Sequence, residues 1–566
     1  MIKRLSCLFI PLLMLSFLMN CTEEKEKIVE VIVKDTVLVQ VEVIPVKVDN
    51  IDINPDSIAV GGRITLTAQT SKEAGVGNLT LYWFSNAGTF NKASGDTVVW
   101  KAPDDAGTYV ITAHATDGNK IGIGKRNIGV GMYAATADVF YVGATTCVTC
   151  HNAIHQGWSG TDHAHAWATL QASSHAAPYC NRCHTVDFYQ IPGNAGYDDA
   201  PIAKFQNVQC ENCHGPASTH PGPNSAVNVD ISIDNCITCH SGTHHPFEQD
   251  FLMAGHNFDP STAAHPAGRT GCNVCHSGNG FIEKYDPTFK WTGAPQQVSC
   301  AACHDPHQKK NPYQIRTLDP YTSVVANGES HEIVVTGNGQ LCVQCHHARS
   351  SPDTQVLPGS ARFGPHSSPQ GDMIAGVSGY EDLNGFDFTN NRKTSHYLIK
   401  DACVTCHMHS EPYPNANTGH SFIATTKACR DCHGVLESFD DIKAKDDFDG
   451  NGLVEGIQAE VRGLLDVLAA ELVAAGLDTT GGVAAGLGRT VNDTLAGGVQ
   501  KPENIRLRRA GYNYVFVMND ASFGVHQPVY AVQLLQQSIL FLNQNGDRIA
   551  RMHVLRKEDH LATILK

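Results

Sequence analysis

The stretch Cys147-Val148-Thr149-Cys150-His151 sets a pattern that returns eight more times before residue 434. Every copy has two cysteines separated by two residues, with a histidine directly after the second cysteine. The copies follow one another about every 35 residues. In chain order, motifs 1 to 9 are Cys147/Cys150/His151, Cys180/Cys183/His184, Cys210/Cys213/His214, Cys236/Cys239/His240, Cys272/Cys275/His276, Cys300/Cys303/His304, Cys342/Cys345/His346, Cys403/Cys406/His407 and Cys429/Cys432/His433.

This pattern predicts covalent attachment of haem c. The two thiols can form thioethers to the two vinyl groups of one porphyrin, and the adjoining histidine then becomes the proximal ligand of the iron. The chain has 20 cysteines, of which 18 belong to the motifs, while Cys7 and Cys21 lie near the N-terminus. Zinc sites and thioredoxin-like redox pairs also use paired cysteines, but neither accounts for a histidine after every second cysteine. The sequence therefore predicts nine haem c groups and no disulfide framework.

The composition bounds the fold of the haem-binding region. At 566 residues the chain is long enough for two or three domains. The segments between the motifs are rich in Gly, Pro, Asn, Ser and His and show no sustained helical or strand period. We therefore expect short helices and loops wrapped around the porphyrins. The net charge of −15 disfavours nucleic acid as a partner, and it favours cationic redox partners or simply solubility.

The N-terminus predicts export. Lys3-Arg4 precedes an apolar run, a pattern typical of a secretory signal over residues 1–21. The end of this segment resembles a bacterial lipoprotein box, with Asn20 in place of the usual small residue, and the resemblance implies a lipid on Cys21. Thr22-Glu23-Glu24 resembles an acidic tag for export to the cell surface. We expect an outer-membrane or cell-surface lipoprotein, otherwise a periplasmic protein, anchored to a membrane by lipid.

A β-rich region separates this signal from the motifs. Residues 22–48 alternate Val or Ile with charged residues and predict a linker or stalk. Residues 49–134 contain no cysteine and hold short β-rich runs, such as 79–84 and 107–113, separated by turns. Together with Trp100-Lys101-Ala102-Pro103, these runs resemble the immunoglobulin-like β-sandwich modules of bacterial surface proteins, and the resemblance implies a spacer.

Residues 135–440 form the predicted nonahaem cytochrome c domain, and residues 441–566 a helical C-terminal part that packs on it. Periodicity predicts helices over 455–477 and 529–538. Residues 447–458 resemble an EF-hand loop, with Gln458 in place of the bidentate glutamate, so that a simple acidic turn is the alternative. A structural Ca²⁺ here would take oxygen ligands from Asp447, Asp449, Asn451, the Leu453 carbonyl and Glu455.

The second axial ligand of each iron decides what the haem can do. A second histidine makes a low-spin electron carrier, whereas an open position makes a potential catalyst. Sixteen histidines lie between Cys147 and Cys432 outside the motifs. From their local context we predict the distal ligands His163, His175, His220, His256, His307, His366, His396, His420 and His526. Other histidines can exchange roles with these: His155, His165, His244, His245, His265, His331, His347 and His409.

The motif series resembles the multihaem c-type cytochromes of bacterial respiratory and extracellular electron transfer. The resemblance implies a multidomain chain, in which an N-terminal all-β Ig-like sandwich precedes a haem-packed domain of short helices and loops and a helical C-terminal part. It implies an electron-transfer protein rather than an enzyme. The implied partners are a quinol-linked donor and an extracellular or periplasmic acceptor.

Two other functions stay open. A reductase of a small nitrogen or sulfur oxyanion needs one open haem, and the long gap between His346 and Cys403 contains a polar loop, 362–373, that can line a pocket around His366. All nine motifs end in His, however, and none has the Lys that many nitrite-reducing relatives carry. A subunit of a cytochrome filament would need an axial histidine from a neighbouring subunit.

Overall fold

The structure is a computed structural model. It describes residues 29–31, 39–41, 46–130 and 140–556, apart from gaps at 55–56, 59–60, 105–106, 119, 175, 189–195, 198–200, 222–226, 228–230, 243–244, 259–268, 270, 292–293, 324–328, 358–362, 390–391, 412–416 and 543–548. The predicted signal over 1–21, including Cys21, lies outside the described residues. The chain forms two compact units, Met1–Gly131 and Met132–Lys566.

The first unit is built of β-strands. A short antiparallel pair, β1 and β2, precedes two four-stranded sheets with the orders β4-β10-β9-β6 and β3-β5-β8-β7. The strands are β1 Val29–Val31, β2 Val39–Val41, β3 Val46–Asn54, β4 Ser57–Ile58, β5 Arg63–Lys72, β6 Thr80–Ser85, β7 Thr89–Phe90, β8 Thr97–Lys101, β9 Gly107–Thr116 and β10 Ile121–Val130.

Alternating side chains of the two sheets form one core. In β5 and β8, Ile64 and Trp100 point inward and are buried, and in β6 the same holds for Trp83. The indole of Trp83 donates a hydrogen bond to Gly95 O at 2.8 Å. Gly88 must lack a side chain, because its φ is +75° and a Cβ there would lie 2.6 Å from the Trp100 ring. The sheets are thus held by their inward faces, as period-two patterning requires.

The second unit consists mainly of short helices and loops, as the composition predicts. A two-stranded ribbon joins β11 Tyr321–Thr322 to β12 Glu332–Ile333. The helices are α1 Ala144–Ser159, α2 Ala166–Ala172, α3 Asn181–His184, α4 Cys210–His214, α5 Asp234–Ile237, α6 Phe247–Leu252, α7 Asn273–His276, α8 Gly278–Tyr285, α9 Cys300–Cys303, α10 Gln340–Val343, α11 Pro352–Val356, α12 Gln370–Ala375, α13 Ser395–Leu398, α14 Cys403–His407, α15 Arg430–His433, α16 Ile457–Ala474, α17 Val483–Arg489, α18 Pro502–Asp520 and α19 Pro528–Leu542.

Three long helices near the C-terminus enclose the largest apolar core of this unit. α16 and α18 both pack on α19, which is buried along nearly its whole length. α16 and α19 lie where periodicity predicts helices, whereas α18 was not predicted. Of the helices that the structure describes, none combines the length and the apolarity needed to cross a membrane.

Buried polar groups tie these helices to the segment that follows motif 7. The Arg508 guanidinium of α18 is fully buried and donates hydrogen bonds to the carbonyl oxygens of Gln355 and Leu487. The Tyr530 hydroxyl of α19 donates to Glu381 at 2.6 Å and accepts the Gly379 N–H at 3.0 Å. These contacts position the C-terminal helices beside the motif-bearing part of the unit.

Y530F should destabilise the second unit by about 1–3 kcal/mol, because it leaves the buried Gly379 N–H without its acceptor. Denaturant unfolding followed by far-UV circular dichroism measures this loss. Y313F is the matched control, since Tyr313 is 78% exposed. Equal stability of Y530F and Y313F would show that the hydroxyl does not hold the helices in place.

Candidate haem sites

The motifs lie on single helical turns. Motif 1 forms part of α1, and motifs 3 and 8 coincide with α4 and α14. Residues three and four apart lie on the same face of a helical turn, so that both thiols and the histidine of a motif project to one side. The 18 motif cysteines, all within the described residues, form no disulfide. The turn therefore presents the groups that one haem c requires.

Eight motif histidines face a second histidine from a distant segment. In each pair the centres of the two imidazole rings lie 5.9–6.3 Å apart. The pairs, with the motif histidine first, are His151/His220, His214/His307, His240/His163, His276/His366, His304/His420, His346/His256, His407/His526 and His433/His396.

The ring separation fits an iron atom between the two imidazoles. Metal–nitrogen bonds to imidazole are about 2.1 Å long and the ring centre lies about 1.1 Å behind the bonded nitrogen, so two imidazoles on opposite sides of one metal have centres about 6.4 Å apart. The angle between the ring planes varies from 9° for His214/His307 to 85° for His256/His346. Rotation about a shared axis changes this angle without changing the distance. The residues present therefore fit two axial ligands of a common metal better than any one mode of ring packing.

Motif 2 differs from the other eight. His184 donates or accepts a hydrogen bond between its Nδ1 and Ala166 O at 2.8 Å, and its predicted partner His175 lies outside the described residues. Among the residues that the structure describes, no histidine ring faces His184.

The histidines kept as alternatives occupy various places. His245 also lies 5.9 Å from His240, but it is exposed, whereas His163 is half-buried. His155 packs against Trp158, and His347 is buried against Tyr321. His244 and His265 lie outside the described residues, and the structure places no motif histidine ring against His165, His331 or His409 among those it describes.

Hydrogen bonds to Nδ1 orient several paired histidines. His304, His396 and His407 contact the carbonyl oxygens of Tyr313, Val525 and Phe422 at 2.7, 2.6 and 3.1 Å. A carbonyl can only accept, so that these rings carry hydrogen on Nδ1 and leave Nε2 for a metal.

Two distal histidines have charged partners instead. Nδ1 of His526 donates to the buried carboxylate of Asp520 at 2.6 Å. On the opposite side of the charge scale, the Arg349 guanidinium contacts Nδ1 of His366. A carboxylate partner makes a ligating imidazole more basic, and a cation has the reverse effect.

Burial keeps most of these imidazoles neutral. Desolvation lowers the pKa of His240 and of His256 to about 4, with smaller contributions from neighbouring histidines. Burial also lowers the pKa of His163 and of His307. For His526 burial acts in the same direction, but the charge of Asp520 outweighs it and raises the pKa. Because a metal binds the neutral ring, the buried environment favours ligation.

The polar loop predicted to line a pocket supports ligands instead. His366 faces His276, and Gln370 contacts Nδ1 of His346 at 3.2 Å through its side-chain oxygen. Asp372 is fully buried, accepts hydrogen bonds from Ala348 N and Ser378 Oγ, and has its pKa raised to about 6 by burial. Arg362 lies outside the described residues.

The acidic loop gathers carboxylates, with one member that the sequence did not indicate. Oxygens of Asp447, Asp449 and Glu460 lie within 4.8 Å of one another. Glu460 stands in the first turn of α16, is fully buried, and accepts hydrogen bonds from the N–H groups of Phe448, Asp449 and Glu455. Glu455 instead accepts from the Asn451 amide at 2.8 Å, and Gln458 donates to Ser522 O.

Sequence reasoning also missed the residues that hold the ligands. Asp520, Gln370 and Arg349 contact histidines that are 6, 24 and 17 positions away in the chain. Asp520 is the one with a local signal, since an acidic residue closely precedes the predicted ligand. The other contacts depend on the path of the backbone.

Comparison with known proteins agrees with this geometry. A family model described as cytochrome c554 and c-prime matches residues 146–215, which span motifs 1 to 3. The chain is 21% identical over 300 residues to the C-type polyheme cytochrome OmcB of Geobacter sulfurreducens, covering 45% of this chain and 38% of that protein. It is 24% identical over 164 residues to the multiheme cytochrome MtrA of Shewanella baltica, covering 24% of this chain and 47% of that protein. The chain thus spans less than half the length of these curated relatives.

Solved structures with a similar course of the chain include the outer cell wall cytochrome OcwA, with a TM-score of 0.46, 17% identity, and coverage of 71% of this chain and 100% of that one. Another is an undecaheme cytochrome from the S-layer of Carboxydothermus ferrireducens, with a TM-score of 0.41, 18% identity, and coverage of 72% and 70%. On its nine attachment motifs, and on the family model and relatives that match them, the chain belongs to the multihaem c-type cytochromes.

Proposed function

We propose that the protein transfers electrons through nine covalently bound haem c groups, each held by two histidines. Bound haem supplies a one-electron iron couple, and two imidazole ligands leave no position on the iron for a substrate. Without the Met ligand that raises the potential of many cytochromes, low potentials are expected. The observation that carries this proposal is the nearly constant separation of the eight histidine pairs, 5.9–6.3 Å, at widely different tilts.

We further propose that the protein is exported and held at a membrane surface by a lipid on Cys21, with an Ig-like unit over residues 49–134 as the spacer. The motif-like ending before Cys21 supports the anchor, and the two sheets with a common core support the spacer. A quinol-linked donor and an extracellular or periplasmic acceptor are the corresponding partners.

A reductase with one open haem is the second candidate. The observation that favours it is His184, which faces no histidine among the described residues, so that motif 2 rather than the loop around His366 is where an open iron belongs. The same vacancy of partners would suit a filament in which a neighbouring subunit supplies the ligand. With His175 as the distal ligand, both alternatives lose their basis.

Electron paramagnetic resonance of the oxidised protein tests the ligation. We expect a mass increase of nine haems, low-spin signals alone, and no change on adding cyanide or nitrite. H175A should create one high-spin haem that binds cyanide, whereas H165A, which alters an exposed histidine, should keep nine low-spin haems. A high-spin, cyanide-binding haem in the unaltered protein would instead support the reductase.

The carboxylate of Asp520 should lower the potential of the motif 8 haem, because it makes the His526 ligand more basic. D520N keeps an oxygen that can accept from His526 but removes the charge. We expect one of the nine waves in a spectroelectrochemical titration to rise by roughly 60 mV, a tenfold change in a one-electron equilibrium. D466N removes the same charge from the exposed face of α16 and should move no wave by a comparable amount. Equal shifts in both variants would reduce the effect to net charge.

We also propose a structural Ca²⁺ in the acidic loop, with Glu460 in the role that sequence position assigns to Gln458. Asp447 and Asp449 are shared with the predicted ligand set, and the three carboxylates are close enough to bind one ion. Asp449 is buried against α16, where a Cβ on Gly463 would lie only 1.7 Å from its Oδ2. The loop and the helix start would thereby be joined through the ion.

Calcium at 100 times its Kd should stabilise the protein by about 2.7 kcal/mol. The measurement is the Ca²⁺-dependent difference in unfolding free energy between calcium-loaded and chelator-treated protein. E460Q should abolish this difference, E455Q should reduce it less, and E437Q, on an exposed residue, should retain it. If E460Q retains the full difference, Glu460 is no ligand.

A further inference from the structure

Cysteines of different motifs meet in pairs. Five pairs of thiols lie within hydrogen-bonding distance of each other and join motifs 1 and 3, 2 and 4, 4 and 6, 5 and 7, and 7 and 8. The pairs are Cys147/Cys210, Cys183/Cys239, Cys236/Cys300, Cys275/Cys345 and Cys342/Cys403. Because each thiol bonds the edge of a porphyrin, a contact between two thiols places two porphyrin edges side by side.

Other contacts around these thiols have the same arrangement. Cys275 Sγ lies 3.8 Å from Gln344 O, and Cys345 Sγ lies 3.9 Å from Val274 O, so that motifs 5 and 7 contact each other reciprocally. Cys403 Sγ lies 3.8 Å from Gly339 O, directly before α10 and motif 7. Motif 9 joins through α14, which carries motif 8 and packs against the turn Thr426–Cys429.

Two further links are electrostatic. Thiol contacts and burial are the main causes of the raised pKa of Cys236 and of Cys239, and the neighbouring Cys213 of motif 3 adds to both. In the same way, Cys303 of motif 6 adds to the raised pKa of Cys342 and of Cys345. Motif 3 therefore lies beside motif 4, and motif 6 beside motif 7.

The histidine pairs repeat three of these links independently. His220 follows motif 3 and faces the histidine of motif 1, and His366 follows motif 7 and faces the histidine of motif 5. His396 precedes motif 8 and faces the histidine of motif 9. Ligands and thiols thus place the same motifs together.

The eight links connect all nine motifs without closing a ring. The longest line through them passes motifs 1, 3, 4, 6, 7, 8 and 9 in that order, with motif 2 attached at motif 4 and motif 5 attached at motif 7. Of the 18 motif cysteines, Cys150 and Cys432 are exposed. Their neighbours His151 and His433 are also exposed, whereas the other seven motif histidines are half-buried. The two ends of the line are therefore its accessible points.

We propose that the haems of motifs 1 and 9 are the two ports through which electrons enter and leave, and that the haems of motifs 2 and 5 are side branches off the path between them. This inference rests on the proposed attachment of haem to all nine motifs.

Attachment of the holoprotein to a gold electrode through one introduced cysteine tests the ports, since the motif thiols are blocked as thioethers. V435C stands beside motif 9 at a position 83% exposed, and I154C beside motif 1 at one 48% exposed. V499C, at a position 60% exposed between α17 and α18, is the control. We expect interfacial electron exchange at least tenfold faster for V435C and I154C than for V499C. Equal rates for the three would overturn the ports.

Ligand changes test the path. H420M, at the haem of motif 6, replaces the distal histidine by a ligand that raises the potential, and a trap 59 mV deeper slows escape tenfold. We expect the current from V435C to a soluble acceptor to fall at least tenfold. H366M makes the same change on the branch at motif 5 and should lower the current at least fivefold less. Equal losses would overturn the branch assignment.

H307M, at the haem of motif 3, is a second change on the path in case H420M does not assemble. Haem content and spin state are measured for every variant before the current. Fewer than nine haems in the unaltered protein would contradict the proposed function, whereas nine low-spin haems with equal currents in all variants would contradict the path alone.

Discussion

The motif-bearing unit depends on pairs of imidazoles that face each other across 5.9–6.3 Å. One ring of each pair comes from a motif turn and the other from a segment elsewhere in the chain, 37 residues away for His396/His433 and 119 for His407/His526. Helices of four or five residues have little stability of their own. A metal shared by two such rings would join the segments that carry them, so that ligation and tertiary structure become one process.

The long C-terminal helices serve the motifs as well as their own core. The end of α18 supplies Asp520, which contacts His526, and its main-chain oxygen accepts from the Gln370 side chain that also contacts His346. The Val525 carbonyl orients His396. The buried apolar contacts of α16, α18 and α19 thereby position groups around motifs 7, 8 and 9, at one end of the line of motifs.

Expectations based on local pattern and those based on distant contacts fared differently. The helices near 457–474 and 528–542 lie where apolar periodicity predicts them. α18 escaped prediction because its buried face includes Arg508 and Asn513, whose polarity is compensated only by partners from other segments. In the acidic loop, local spacing indicated Glu455, while the start of α16 turns Glu460 toward Asp447 and Asp449. Eight of the nine predicted distal histidines face a motif histidine, although the sequence could not say which one.

The sequence by itself determined where haem can be attached, because both thiols and the proximal histidine of a motif lie within one helical turn and need no distant residue. It also determined that the segments between motifs form short helices and loops, since they lack any sustained apolar period. Only the tertiary structure decided which distal ring faces which motif and which motifs are neighbours. Those relations join residues such as His276 and His366, or Cys147 and Cys210, whose proximity depends on the path of the whole chain.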